Sequence, residues 1–168
     1  MNRSILRALC ALAAAVLVLS FSLGAAQAAQ GSSAQSPTSR TRTLNIGKPD
    51  DTVTCPVTVN TPVALSGNTG VQATARIDTC TPVNPDACSI QADLEEWVPA
   101  YDYWVTAAAG GKGNGCPGEG GNSSTATYSC TPTTTSTEFQ TSAVYAFVYE
   151  GESDSGDEAS NIAYIKCA

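Results

Sequence analysis

Apolar and polar residues alternate along most of the chain beyond residue 44, and the period is two. In "TVTCPVTV" (residues 52–59), Val53, Cys55, Val57 and Val59 alternate with Thr52, Thr54, Pro56 and Thr58. This predicts a half-buried strand, placed at a sheet edge by Pro56. "VQATARIDT" (71–79) sets Val71, Ala73, Ala75 and Ile77 on one face, and "SIQADLEEW" (89–97) does the same with Ile90, Ala92 and Leu94. Further strands are expected at 101–106, 123–130, 137–149 and 161–167. In "AVYAFVY" (143–149) both alternating sets are apolar, so this strand is expected to be central and covered on both faces.

No segment beyond residue 28 shows a sustained helical period. About seven short strands separated by Gly- and Pro-rich turns predict an all-β fold, an antiparallel immunoglobulin-like sandwich. Tyr128 lies two residues before Cys130, the spacing of the tyrosine corner in that class. Two strands are expected after Cys130 where that class has one, and its Cys-to-Trp spacing is missing, so the topology stays open.

The first residues read differently. Arg3 and Arg7 precede an apolar run over 8–24, and Ala26-Gln27-Ala28 is a small-x-small cleavage pattern. Residues 1–28 are therefore expected to be a secretory signal peptide. Residues 29–43, "AQGSSAQSPTSRTRT", are small and polar and predict a disordered tail, leaving residues 44–168 as a single domain.

Composition narrows the partners. Without Arg3 and Arg7 the chain carries six basic and fifteen acidic residues, with most of the excess beyond residue 92. So acidic a surface repels phosphate backbones and anionic lipid heads, which excludes nucleic acid and, after signal cleavage, the membrane as expected partners. The remaining expectation is an extracellular protein or glycan.

Six cysteines follow the signal peptide, an even number that predicts three disulfides. The turn-forming "CTPVNPDAC" would close a hairpin neck, pairing Cys80 with Cys88. Cys116 would then pin the glycine-rich loop to Cys130, and Cys55 would join Cys167 by elimination. The chain holds no histidine and no C-x-x-C spacing, so no metal site and no cofactor is expected.

The order "ATARIDTC" (73–80), "DLEEW" (93–97), "TYSC" (127–130) and "SNIAYIKC" (160–167), behind an export signal, resembles small exported β-proteins of unknown function from actinobacteria. The resemblance implies secretion and a β fold, and it implies no activity.

Candidate chemistry is sparse. "GNGCPG" (113–118) matches G-x-G-x-x-G, but a dinucleotide cradle needs a strand before it and a helix after it, and "GNSSTATYSC" follows. A flexible connection between strands is the better expectation. Asn122-Ser123-Ser124 is a glycosylation sequon. Without histidine there is no Ser-His-Asp or Cys-His arrangement, so no catalytic residues are assigned. Glu95 or Glu96 with Asp102 remain as a carboxylate pair for glycoside cleavage, a minority reading. The acidic run over 150–158 departs from the calcium-loop pattern and reads as a solvated hairpin tip.

The aromatic segment offers more. Trp97, Tyr101, Tyr103 and Trp104 are either core or the remnant of a binding face, because Tyr101 and Tyr103 share one face and Trp104 points the other way. Tyr101, Asp102, Tyr103 and Trp104 are the expected ligand-binding residues of a secreted, non-catalytic binding protein. The alternative is an inhibitor of a secreted hydrolase, presenting a disulfide-pinned loop.

Overall fold

The structure is a computed structural model that describes residues 39–48 and 51–168. In chain order its strands are β1 (Ser39–Lys48), β2 (Asp51–Asn60), β3 (Val63–Ala64), β4 (Gly70–Ile77), β5 (Ala87–Val98), β6 (Tyr103–Ala109), β7 (Ser123–Ser129), β8 (Thr137–Tyr149), β9 (Glu152–Ala159) and β10 (Ala163–Ile165). One 3-10 turn covers Ser66–Asn68. No helix among the described residues is long and apolar enough to cross a membrane. The expected signal peptide, and residues 29–38 of the expected tail, lie outside the described residues.

Two five-stranded antiparallel sheets face each other. In the first, β4 lies between β7 on one side and β2 with β3 on the other, and β1 flanks β2. In the second, β8 lies between β5 on one side and β9 with β10 on the other, and β6 flanks β5. The alternation explains the core: Val53, Val57 and Val59 of β2 meet Tyr145 and Phe147 of β8 and Ile90 of β5, all buried. A second cluster around Leu94, Phe139, Val71 and Ile165 fills the other half.

A few hydroxyls tie this interior together. Thr141 is fully buried on β8 and donates to the Asn60 carbonyl of the opposite sheet at 2.7 Å. Ser124 of β7 accepts from the Ala92 amide and donates to the Gly111 carbonyl. Each bond satisfies a polar group that would otherwise be costly to bury.

The expected seven strands become ten, and the additions lie where the apolar signal fails. Residues 39–43 of the expected tail belong to β1, which contains no apolar residue before Leu44 and pairs with β2 along its whole length. β2 is therefore internal, not an edge. Pro56 is tolerated because it lies one residue beyond the β2–β4 ladder, where its carbonyl accepts from Asp78 N. The acidic run is a strand rather than a hairpin tip, since only Glu150 and Gly151 turn before β9 begins. β8 is central but buried on one face only: Tyr145, Phe147 and Tyr149 point inward, while Val144 is 58% exposed on the outer face.

The disulfide pairing also differs from expectation. Cys55 joins Cys80, Cys88 joins Cys116, and Cys130 joins Cys167. Cys80 and Cys88 do not close a hairpin neck, because β4 and β5 belong to different sheets and residues 80–88 cross between them. Cys116 and Cys130 are separated by the length of β7, about 20 Å for seven residues. Cys55 lies midway along β2, beside the chain that leaves β4, where it meets Cys80, whereas Cys167 follows β10 and lies beside Cys130. Three disulfides are typical of proteins that live in an oxidising, extracellular compartment.

Candidate functional site

The β5–β6 hairpin extends beyond the last residue that β5 pairs with β8, the Glu96–Phe139 pair. Val98 pairs with Tyr103, and the Tyr101 and Asp102 amides both donate to the Val98 carbonyl, at 3.0 and 3.1 Å. Asp102 closes this loop with a φ of 57°, a left-handed conformation that Asp tolerates better than most side chains. Tyr101 thus belongs to the turn, and the strand begins at Tyr103.

The four aromatics separate into two pairs on opposite faces. Trp97 and Trp104 are directly paired across the ladder, with ring centroids 5.4 Å apart in an edge-to-face arrangement, and both are half-buried. Tyr101 stacks on Tyr103, with centroids 5.5 Å apart and planes 22° from parallel. These tyrosines are 67% and 51% exposed. Of the residues expected to bind, Tyr101 and Tyr103 are brought together, Asp102 lies exposed between them in the turn, and Trp104 supports the hairpin from the other side.

Sequence reasoning missed Tyr164. It is 64% exposed on β10, opposite Glu138 of β8. β10 lies within the strand expected over 161–167, but Tyr164 was not singled out there as an exposed aromatic.

The carboxylates do not assemble a catalytic pair. Glu95 and Glu96 are neighbours on β5, so their side chains leave opposite faces of the sheet. Glu95 accepts from the Gln140 amide nitrogen at 2.7 Å. Thr106 lies opposite Glu95, which puts the Asp102 backbone about 13 Å further along the hairpin. Among the described residues no group of three acidic or cysteine side chains gathers to hold a metal ion.

The glycine-rich segment is neither a phosphate cradle nor a slack connection. Gly113 forms reciprocal backbone bonds with Ile90 at 2.8 and 2.9 Å, extending the edge of β5. A Cβ on Gly115 would lie 1.9 Å from the Gly120 carbonyl oxygen, and one on Gly113 2.4 Å from that of Gly121. Glycine is required here because the loop folds back onto its own backbone. Cys88 then fastens it, where Cys130 was expected to. The segment leads into β7 and not into a helix, so no row of helix-terminal amides faces it. The sequon is likewise drawn into the fold: Asn122 donates its side-chain amide to the Ile77 carbonyl, and Ser124 is buried.

No protein-family profile, curated protein or solved structure matches the chain.

Proposed function

We propose that the protein is an exported, non-catalytic binding module of immunoglobulin-like type that engages an extracellular protein or glycan with the tip of its β5–β6 hairpin. The strand order supports the scaffold. β2, β4 and β7 stand where such domains carry A, B and E, and β9, β8, β5 and β6 where they carry G, F, C and C′. β1 is an addition. Tyr128 departs from the tyrosine corner, since it sits on β7 against Phe139, one strand before the corner's usual place.

The single observation that carries the binding role is the exposed Tyr101–Tyr103 stack at the tip of the β5–β6 hairpin. Tyrosine supplies a large amphipathic contact at low conformational cost, and stacked rings suit a sugar face or an apolar protein anchor equally. The signal sequence and three disulfides support export, and the acidic surface argues against nucleic acid.

Binding of the disulfide-intact protein to glycan, cell-wall and extracellular-protein panels tests the reading. Tyr101→Ala/Tyr103→Ala should weaken any interaction found by about 1–3 kcal/mol per anchor. Undiminished binding by that double variant would remove the hairpin from the function.

A second reading, inhibition of a secreted hydrolase, draws on the compact loop fastened by Cys88–Cys116. Inhibition in a protease and amylase panel that survives the tyrosine substitutions would favour it.

A further inference from the structure

At the end of the sandwich opposite the hairpin, the compact glycine loop and the outer face of the second sheet border an open depression of about 340 Å³. Ser89 and Ala146, paired across β5 and β8, form the floor with Val148. The loop residues Asn114, Gly115 and Cys116 form one wall, held from the core side by the buried Cys88–Cys116 bridge, and Asp86 and Glu119 stand at the rim. No basic residue is among those lining it.

The walls are fixed by the fold. Asn84 donates to the Pro117 carbonyl at 2.7 Å and Glu119 N to that of Cys116 at 3.1 Å, which holds the loop in place. Asp86 N donates to Val148 O at 2.8 Å, while one Asp86 carboxylate oxygen accepts from Glu150 N at 2.8 Å. A preorganised concavity of a few hundred cubic ångströms, apolar below and polar at its mouth, has the size and character of a small-molecule site.

The geometry points to a binding site for a small organic ammonium ion, with its nitrogen toward Asp86 and Glu119 and its apolar body on Ala146 and Val148. Two carboxylates without a basic neighbour favour a cation and repel an anion. The outward alkyl groups of Ala146 and Val148 suit an apolar ring or chain. The net charge of −7 over the whole chain raises the local concentration of cations further. None of this depends on the hairpin.

Tryptamine is a suitable probe, with tryptophol and indole-3-propionate as its neutral and anionic counterparts, read by amide chemical shifts in the labelled protein. Tryptamine should shift Ser89, Gly115, Ala146 and Val148 and bind about fivefold tighter than tryptophol at low ionic strength. Indole-3-propionate should leave those amides unmoved, and added salt should erode the preference. Asp86→Asn/Glu119→Gln, which keeps an acceptor for Glu150, should abolish the preference, and Ala146→Leu should obstruct tryptamine and tryptophol alike. Absence of localised shifts with tryptamine, equal affinity for tryptophol, or a preference that survives Asp86→Asn/Glu119→Gln would each overturn the proposal. Should that variant fail to fold, the three probes on the unaltered protein decide the matter alone.

Discussion

At one end of the sandwich, Cys55–Cys80 and Cys88–Cys116 fasten the proline-bearing crossing over 80–88 and the glycine-rich loop, whereas at the other end the β5–β6 hairpin projects its turn with no bridge of its own. The connections at the first end, residues 78–86 and 110–122, carry few large apolar side chains, so covalent links and backbone bonds such as Ile90–Gly113 hold them. The second carries large side chains, and the Trp97–Trp104 pair stiffens its strands directly. A rim that must stay polar is held by staples, and a tip that must stay apolar can hold itself.

Removing the staple should have the largest effect. Cys88 and Cys116 are 28 residues apart, and Cys130 and Cys167 are 37 apart. In the loop-entropy model either loss costs about 3–4 kcal/mol, so unfolding midpoints for the two double serine variants should nearly coincide. Hydrogen exchange should tell them apart. Cys88→Ser/Cys116→Ser should expose the Gly113 and Glu119 amides while Trp97 and Trp104 keep their protection, and Cys130→Ser/Cys167→Ser should leave the glycine loop protected. Persistent protection over 110–122 in the first variant would mean that backbone packing alone holds that end.

Backbone packing is measured next. Gly115→Ala sets a methyl against the Gly120 carbonyl, an immovable neighbour, and should cost toward the upper part of the roughly 1–3 kcal/mol range for overpacking. Gly156→Ala lies outside this end's loop, on β9, where its Cβ would meet the Tyr145 ring at 2.9 Å. A ring edge can yield slightly, so its cost should fall nearer the lower part of that range, about 1 kcal/mol. Denaturant midpoints of the two variants check the order. Equal costs would show that the glycine loop accommodates a methyl as readily as a side-chain contact does.

Legibility in the sequence followed the same division. β2, β4 and β5 were readable because Val, Ala, Ile and Leu alternate with polar residues against a one-sided core, and β8 because its β-branched and aromatic run is a strand signal in itself, although that run wrongly suggested cover on both faces. β9 was not: "ESDSGDEA" holds acids and glycine that are poor strand formers, and it is a strand because β8 offers it a paired edge. Its charges are useful there, since Glu158 lies 3.8 Å from Arg40 of β1 and a charged edge resists pairing with other chains. The disulfides were misread for a topological reason. A Pro-rich turn between two cysteines looks the same whether it closes a hairpin or crosses between sheets, and only the sheet assignment of β4 and β5 separates the two. At the hairpin, strand parity separated Tyr103 from Trp104, but exposure depended on where the β5–β8 ladder stops, which no local pattern encodes.

The smallest expected effect tests the hairpin's independence. Tyr101 and Tyr103 are mostly in solvent and stack chiefly on each other, so Tyr101→Ala/Tyr103→Ala should cost under about 1 kcal/mol, a fall in Tm of roughly 3–5 °C at most. Phe139→Ala is the internal reference, since a buried aromatic truncated in a packed core costs about 3–5 kcal/mol. The two variants should therefore differ severalfold in stability loss although the first removes twice as many rings. If the tyrosine variant unfolds as early as Phe139→Ala, the pair is structural, and the reason for leaving two rings at the tip of a hairpin disappears. If it stays near the parent protein, the rings are there for contact with something else, and any binding lost by the same variant can be assigned to that contact and not to unfolding.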